Sequence, residues 1–266
     1  MIIVGELINS SRKAVAAAVE ARDQGAIRKL AKDQAEKKIQ YIDVNAGVFK
    51  DLEAEYLTWL IRNVQAAVEL PCCIDSPDPR VIEAALSAHR GTAMINSISM
   101  EKKRRDNLLP LIAGTDLKIV AICTSDSGMP RTAEDRVRIA QELVALLLRH
   151  NVKIENLYVD PLVQPVATDQ NFGREFLAAI ERIMVLFPGI HTICGLSNVS
   201  FGLPLRRFLN QTFMSMAITM GLDAAILDPL DKRMMANILA AEALVGRDRF
   251  CMNYLKAYRG GRLESI

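Results

Sequence analysis

Carboxylates and side-chain amides recur at the ends of short apolar runs, and together they can hold a ligand rich in N–H donors. The runs end in Glu6 and Asn9, Asp43-Val44-Asn45-Ala46-Gly47, Asp75-Ser76, Asn96-Ser97, Thr124-Ser125-Asp126, Asp160-Pro161, Gly195-Leu196-Ser197-Asn198-Val199-Ser200 and Asp228-Pro229. Asp, Asn and Ser are also good helix caps and turn formers, and capping accounts for Ser76, Ser125 and Asp228. It does not account readily for Asp75, Asn96, Asp160 and Asn198, while Glu6, Asp43 and Asn45 fit either role. An ionised Asp accepts paired donors and an Asn both accepts and donates. The set therefore suits a planar heterocycle with amino and ring N–H groups, or equally a hard cation such as Mg²⁺. The chain has no H-E-x-x-H and no His pair or Cys cluster for a transition metal, so no metal site is assigned. Without a strand-end Lys at the fifth or sixth run, a Schiff-base mechanism is disfavoured.

These residues need elements that bring them to one place. Eight Ile/Val-rich runs are expected as strands: Ile2–Ile8, Tyr41–Asn45, Cys72–Asp75, Ala93–Ile98, Lys118–Thr124, Leu157–Pro161, Thr192–Leu196 and Ala224–Leu227. Helical periodicity fills the gaps. Arg12–Gln40 reads as two helices parted near Gln24-Gly25-Ala26. The others are Leu52–Val68, Pro79–His89, Lys102–Ala113, Ala133–His150, Glu175–Phe187, Leu205–Met220, Asp231–Val245 and a last one near Arg249–Tyr258. Eight βα units in 266 residues predict a single-domain (β/α)₈ TIM barrel over residues 1–266, with its site at the C-terminal strand ends. A doubly wound open sheet would want a Gly-rich turn after the first strand, where Glu6-Leu7-Ile8-Asn9-Ser10-Ser11 stands instead.

Composition narrows the partners. With 33 basic and 31 acidic residues there is no concentrated positive charge, and neither a nucleic-acid groove nor a membrane patch is expected. The densest charge run, Glu101–Asp106, reads as a solvated helix face. Cys72, Cys73, Cys123, Cys194 and Cys251 form no C-x-x-C pair and read as reduced packing thiols of a cytoplasmic protein. No signal peptide or membrane span is expected.

The segment Gly195-Leu196-Ser197-Asn198-Val199-Ser200 resembles the signature of the pterin-binding methyltransferase family. That family includes methyltetrahydrofolate:corrinoid protein methyltransferases, the folate domain of cobalamin-dependent methionine synthase and the methyltransferase II components of corrinoid-dependent demethylase systems. Supporting motifs follow in family order: Gly5-Glu6-Leu7-Ile8-Asn9, Asp43-Val44-Asn45-Ala46-Gly47, Asp75-Ser76, Met94-Ile95-Asn96-Ser97, Asp160-Pro161-Leu162, Arg207–Phe213 and Gly221–Ile226. After Ser200 the iron–sulfur branch usually has a polar residue. Here Phe201-Gly202-Leu203-Pro204 is more similar to methionine synthase and the demethylase-system enzymes.

The resemblance implies a homodimeric barrel that binds tetrahydrofolate or methyltetrahydrofolate as substrate. It implies a cobalamin carried by a separate corrinoid protein, since the chain lacks the D-x-H-x-x-G pattern of a corrinoid module. It implies that Asp75, Asn96 and Asp160 hold the pterin, with Asp43, Asn45, Glu6 and Ser197 beside them, and that Asn198 reaches the reactive N5. Arg206 and Arg207 are expected either to bind the folate tail or partner, or simply to place charge at the mouth. Dihydropteroate synthases share the fold and the pterin. They carry a Gly-rich second-strand motif and a Lys-x-Arg that this chain lacks, which makes a condensing enzyme the second reading. A folate-binding subunit without activity is the third.

Overall fold

In the computed structural model, residues 1–263 are described. The expected last three residues of the domain, 264–266, lie outside that part. Strands and helices alternate: β1 (Ile2–Asn9), α1 (Lys13–Glu20), α2 (Gln24–Ala35), β2 (Tyr41–Asn45), α3 (Glu53–Ala67), β3 (Cys72–Asp75), α4 (Pro79–Ala88), β4 (Met94–Met100) and α5 (Lys102–Ile112). There follow β5 (Lys118–Ser125), α6 (Ala133–Arg149), β6 (Leu157–Asp160), α7 (Phe172–Leu186), β7 (His191–Thr192), α8 (Arg206–Thr219), β8 (Ala224–Leu227), α9 (Lys232–Leu244) and α10 (Met252–Arg259). All ladders are parallel, in the order β7-β6-β5-β4-β3-β2-β1-β8.

The barrel closes through a narrow seam. The seventh strand was expected over Thr192–Leu196, but it pairs only at His191–Thr192. Contact with β8 rests on a single bridge, Gly195 to Ile226, with the Ile226 N–H donating to the Cys194 carbonyl at 3.0 Å. Leu196–Ser200 leaves the strand path as a turn of 3₁₀ helix. The Gly-Leu-Ser-Asn segment is thus lifted out of the sheet at the C-terminal end of β7. The two expected helices between β1 and β2 part at Ala21–Asp23, slightly earlier than expected, because Asp23 caps α2 by accepting from the Ala26 N–H at 3.0 Å. A 3₁₀ turn, Arg249–Cys251, stands at the start of the last expected helix.

Two cores hold the layers together. Val4, Cys73, Met94, Val120, Tyr158, Ile193 and Ala224 form a buried cluster inside the barrel. A much larger cluster fills the space between strands and helices. Side chains two apart on a strand share a face. The next inward positions above the interior cluster are therefore Glu6, Asp75, Asn96, Ile122 and Asp160, and on β2 the inward series is Tyr41, Asp43, Asn45. The same parity that packs the barrel carries the polar set to its mouth.

Gly5 has a specific use in β1. The β1–β2 register slips between Gly5 and Ile8, and the Leu7 N–H is satisfied by Gln34 Oε1 at 3.1 Å. A Cβ on Gly5 would meet that oxygen at 2.4 Å and Ile39 Cδ1 at 2.8 Å. Glycine lets the buried Gln34 approach the strand just where Glu6 turns toward the mouth.

The cysteines behave as packing residues. Cys72, Cys73, Cys123 and Cys194 are buried and Cys251 is exposed. Burial pushes the Cys72 thiol up to about 12 and raises Cys73, Cys123 and Cys194 as well.

Candidate active site

Four strand ends meet on one rung. Asn9 pairs with Asn45, Asn45 with Asp75, and Asp75 with Asn96, across β1 to β4. Asn45 is the connector. Its Oδ1 accepts from Ser10 Oγ and from the Gly47 N–H, both at 3.0 Å, and its Nδ2 donates to Asp75 Oδ2 at 3.0 Å. Its amide is therefore engaged within the protein, and its clearest job is to orient Asp75. Asn96 sits beside Asp75, half-buried, before β4 shifts register between Asn96 and Ile98.

Asp43 lies one layer deeper on the same face as Asn45. It is buried, and its Oδ1 has no hydrogen-bond partner among the described residues. Burial, then the neighbouring Asp75 carboxylate, hold its carboxyl well above the usual range, although the Cys73 thiol and Asn96 amide face it. Asp75 is raised too, chiefly by burial, but the Asn45 amide and the Arg104 guanidinium counter that. Of the two, Asp43 is the one kept as a neutral acid, and Asp75 the better anion. This gives a stability prediction. The folded protein holds the Asp43 proton more tightly than the unfolded chain, whose carboxyl titrates near about 4. The resulting penalty is absent below that range and grows as pH rises toward the folded value. Asp43→Asn removes it. The melting temperature of the variant, measured against wild type, should gain with pH between 5 and 8; a difference independent of pH would contradict the assignment.

Asp160 stands across the mouth at the end of β6, opposite Ile122 in register. Its Oδ1 accepts the Leu162 N–H at 2.8 Å, so it supports the turn after the strand as well as facing the mouth. Burial raises its carboxyl to about 7, with that N–H and Arg136 pulling the other way. Glu6 is half-buried, raised mainly by burial, and paired with Arg12 at 3.2 Å. It shares a small cavity of about 70 Å³ with Ser197, Asn210, Asp228 and Asp231 at the β1–β8 side. Ser76, Ser125 and Asp228 do act as turn residues, accepting the N–H groups of Asp78, Ser127 and Leu230. A cleft of about 780 Å³ opens between α4, α5 and the turns after β3 and β4, and Arg104, which acts on Asp75, forms part of its wall. It includes none of the strand-end acceptors, and the mouth is the site their chemistry defines.

Asn198 projects from the 3₁₀ turn. It is exposed, and no side-chain partner for it is found among the described residues. The turn beneath it is tied down. Arg206 Nη2 donates to the Ser197 carbonyl at 2.5 Å and its Nε to Ser200 Oγ at 3.0 Å, and Ser200 donates to Asn210 at 2.7 Å. Arg206 thus has a structural task that the sequence did not reveal, while Arg207 is exposed with no ion pair among the described residues.

Three charged residues near the site escaped the sequence reading. Arg104 belongs to the run expected as a solvated face, yet it is half-buried and donates to the Ser97 carbonyl at 2.7 Å, close enough to Asp75 to hold it down. Glu53, buried at the start of α3, has one unpartnered oxygen and lies near enough for its charge to raise Asp75. Arg136 is fully buried on α6. Its signal was legible: it occupies the stripe Ala133, Arg136, Ala140, Leu143, Leu147, where helical spacing calls for an apolar residue. No His reaches the mouth among the described residues. His89 accepts from the Cys72 N–H, His150 bonds the Leu146 carbonyl, and His191 pairs with Asp223 at 2.7 Å.

Residues 5–228 match the pterin binding enzyme family. The methylcorrinoid:tetrahydrofolate methyltransferase of Eubacterium limosum is 40% identical over 268 residues, covering all of this chain and 99% of that protein. The methionine synthase of Mycobacterium tuberculosis is 29% identical over 85% of this chain, which spans only 20% of that enzyme's length. Among solved structures, the fold is similar to a dihydropteroate synthase from Coxiella burnetii in complex with pteroic acid (TM-score 0.70, 14% identity, 93% and 94% of the two chains). It is also similar to that from Xanthomonas albilineans in complex with 7,8-dihydropteroate (TM-score 0.67, 19% identity, 91% of each).

Proposed function

The chain belongs to the pterin binding enzyme family, and on that premise we propose that it transfers a methyl group between a corrinoid protein and N5 of tetrahydrofolate. The observation that carries the reading is the full-length 40% identity to a methylcorrinoid:tetrahydrofolate methyltransferase. The site is chemically apt. Asp75, Asn96 and Asp160 offer acceptors on two sides of the mouth to the amino and ring N–H groups of a pterin. Asn45 orients Asp75 rather than the ligand, and Glu6, Asp43 and Ser197 line the surroundings. The corrinoid is a substrate brought by another protein.

In the direction toward folate, the N5 lone pair attacks the methyl carbon and the cobalt–carbon pair stays on cobalt as Co(I). N5 becomes positively charged and then releases its proton. Asn198 holds an unengaged amide at the rim, and its carbonyl oxygen can accept from the charged N5–H as that charge develops. With no His in the mouth among the described residues, the proton leaves through the Asp and Asn network to solvent. The reverse transfer uses the same groups.

We extend the proposal to one pterin-binding domain spanning residues 1–266 and to a cytoplasmic homodimer. Four buried cysteines that form no disulfide among the described residues support the compartment. Exposed apolar side chains on and near α8 to α10, among them Phe208, Met216, Leu244 and Phe250, support a protein interface. No described helix is long and apolar enough to cross a membrane. Likeness to dihydropteroate synthases below 25% identity speaks for the fold alone. Supplying dihydropterin pyrophosphate and aminobenzoate in one assay, and titrating tetrahydrofolate by calorimetry in another, separates the readings. Saturable tetrahydrofolate binding without dihydropteroate formation is expected; dihydropteroate production would overturn the proposal.

A further inference from the structure

Arg136 is a fully buried arginine with no carboxylate within ion-pair distance among the described residues. Its guanidinium instead holds the chain that follows β6. Nε donates to the Pro161 carbonyl at 2.9 Å, Nη2 to Gln164 Oε1 at 2.7 Å and to the Leu162 carbonyl at 3.4 Å, and Nη1 to the Thr132 carbonyl at 3.0 Å. Three of these four acceptors lie within four residues of Asp160. Leu162, between them, has a φ of 65°, a left-handed conformation that a leucine adopts only when its surroundings enforce it. That same Leu162 supplies the N–H bonded to Asp160 Oδ1. A buried charge without a partner is costly. Neutral carbonyls explain why this site wants a donor fork, but an uncharged side chain would have avoided that cost. Of the carboxylates around it, Glu175, Asp135 and Asp160, it is Asp160 that stands at the mouth and is held by the turn the guanidinium grips.

We propose that Arg136 is a positioning residue of the pterin site: its fork fixes the Pro161–Gln164 turn, and through that turn and its charge it presents Asp160 to the ligand as a carboxylate. The inference rests on the proposed binding of tetrahydrofolate in the mouth. The groups facing Asp160 are few. Cys123 on β5 and Cys194 after β7 are both held as neutral thiols by burial, and the Arg136 charge acts on it from α6, beyond ion-pair distance. Around Arg136 itself stand Glu175 and Asp135, whose carboxylates favour its charge. With Asp160 raised to about 7 by burial, a ligand that needs the anion binds fully above that value. Its affinity weakens as pH falls below it, and binding at lower pH releases a proton.

The test measures tetrahydrofolate affinity anaerobically from pH 5.5 to 8.5 for wild type, Arg136→Lys, Arg136→Gln and Asp160→Asn, with melting temperatures alongside. Wild type should show a midpoint near Asp160's titration that is absent in Asp160→Asn. Arg136→Gln should move that midpoint upward by about one unit, which weakens binding about fivefold at pH 7 and about tenfold at pH 5.5. Arg136→Lys keeps the charge and loses the fork, so it should bind more weakly with the midpoint in place. A lower melting temperature with an unmoved midpoint in Arg136→Gln would mean a purely structural arginine and overturn the inference. If Arg136→Gln does not fold, Arg136→Lys decides: affinity equal to wild type would overturn it. Wild type that binds no tetrahydrofolate at any pH would sink the functional proposal itself, and this inference with it.

Discussion

Asn198→Ala is expected to slow methyl transfer by about 10²–10³-fold while tetrahydrofolate binds almost as before, the scale of one lost preorganised donor or acceptor at a developing charge. The side chain is exposed and makes no side-chain hydrogen bond among the described residues, so its removal costs the fold little. Its backbone is nevertheless held, because Arg206 and Ser200 fix the 3₁₀ turn from below. An amide on a fixed turn can meet N5 when positive charge appears there, which lowers the barrier without tightening ground-state binding. Single-turnover rates and equilibrium affinity separate the two effects. An unchanged rate would remove Asn198 from the mechanism.

Asp75→Asn is expected to weaken tetrahydrofolate binding by about 10–100-fold at neutral pH or above, the worth of hydrogen bonds to a charged group. The substitution keeps the shape and removes the anion to which Asn45 and Arg104 are directed. Because burial raises Asp75, the wild-type carboxylate is itself protonated as pH falls, and the gap between the two proteins should narrow toward acid. Titration by calorimetry at two pH values checks both parts. Equal affinity at pH 8 would show that Asp75 is not a ligand for the pterin.

The barrel was readable because each strand is a short apolar run and most helices carry a clear stripe. The polar mouth was readable because inward parity carries Glu6, Asp43, Asp75, Asn96 and Asp160 above an apolar interior. What sequence could not supply was the division of labour. Asn45 and Asp75 look alike as strand-end acceptors, yet only the register across β2 and β3 reveals that one serves the other. The short β7 was misjudged because Ile193 and Cys194 are as apolar as any strand. They do pack in the core, but the chain turns away at Leu196, leaving only one bridge to β8. Arg104 was hidden inside a run of charges whose other members are mostly exposed, and helical phase alone did not mark it. Arg136 was marked by phase, as a charged residue in an apolar stripe.

The proposed transfer is tested most directly by mixing the protein anaerobically with tetrahydrofolate and methylcobalamin, or a methylated corrinoid protein, and following the corrinoid spectrum while methyltetrahydrofolate is quantified. The account predicts loss of the methylated corrinoid, appearance of Co(I) and formation of methyltetrahydrofolate in equal amounts, with all three slowed in Asn198→Ala. Tight tetrahydrofolate binding with no methyl transfer in either direction, even with a methylated corrinoid protein, would contradict it and leave a protein that only holds the folate.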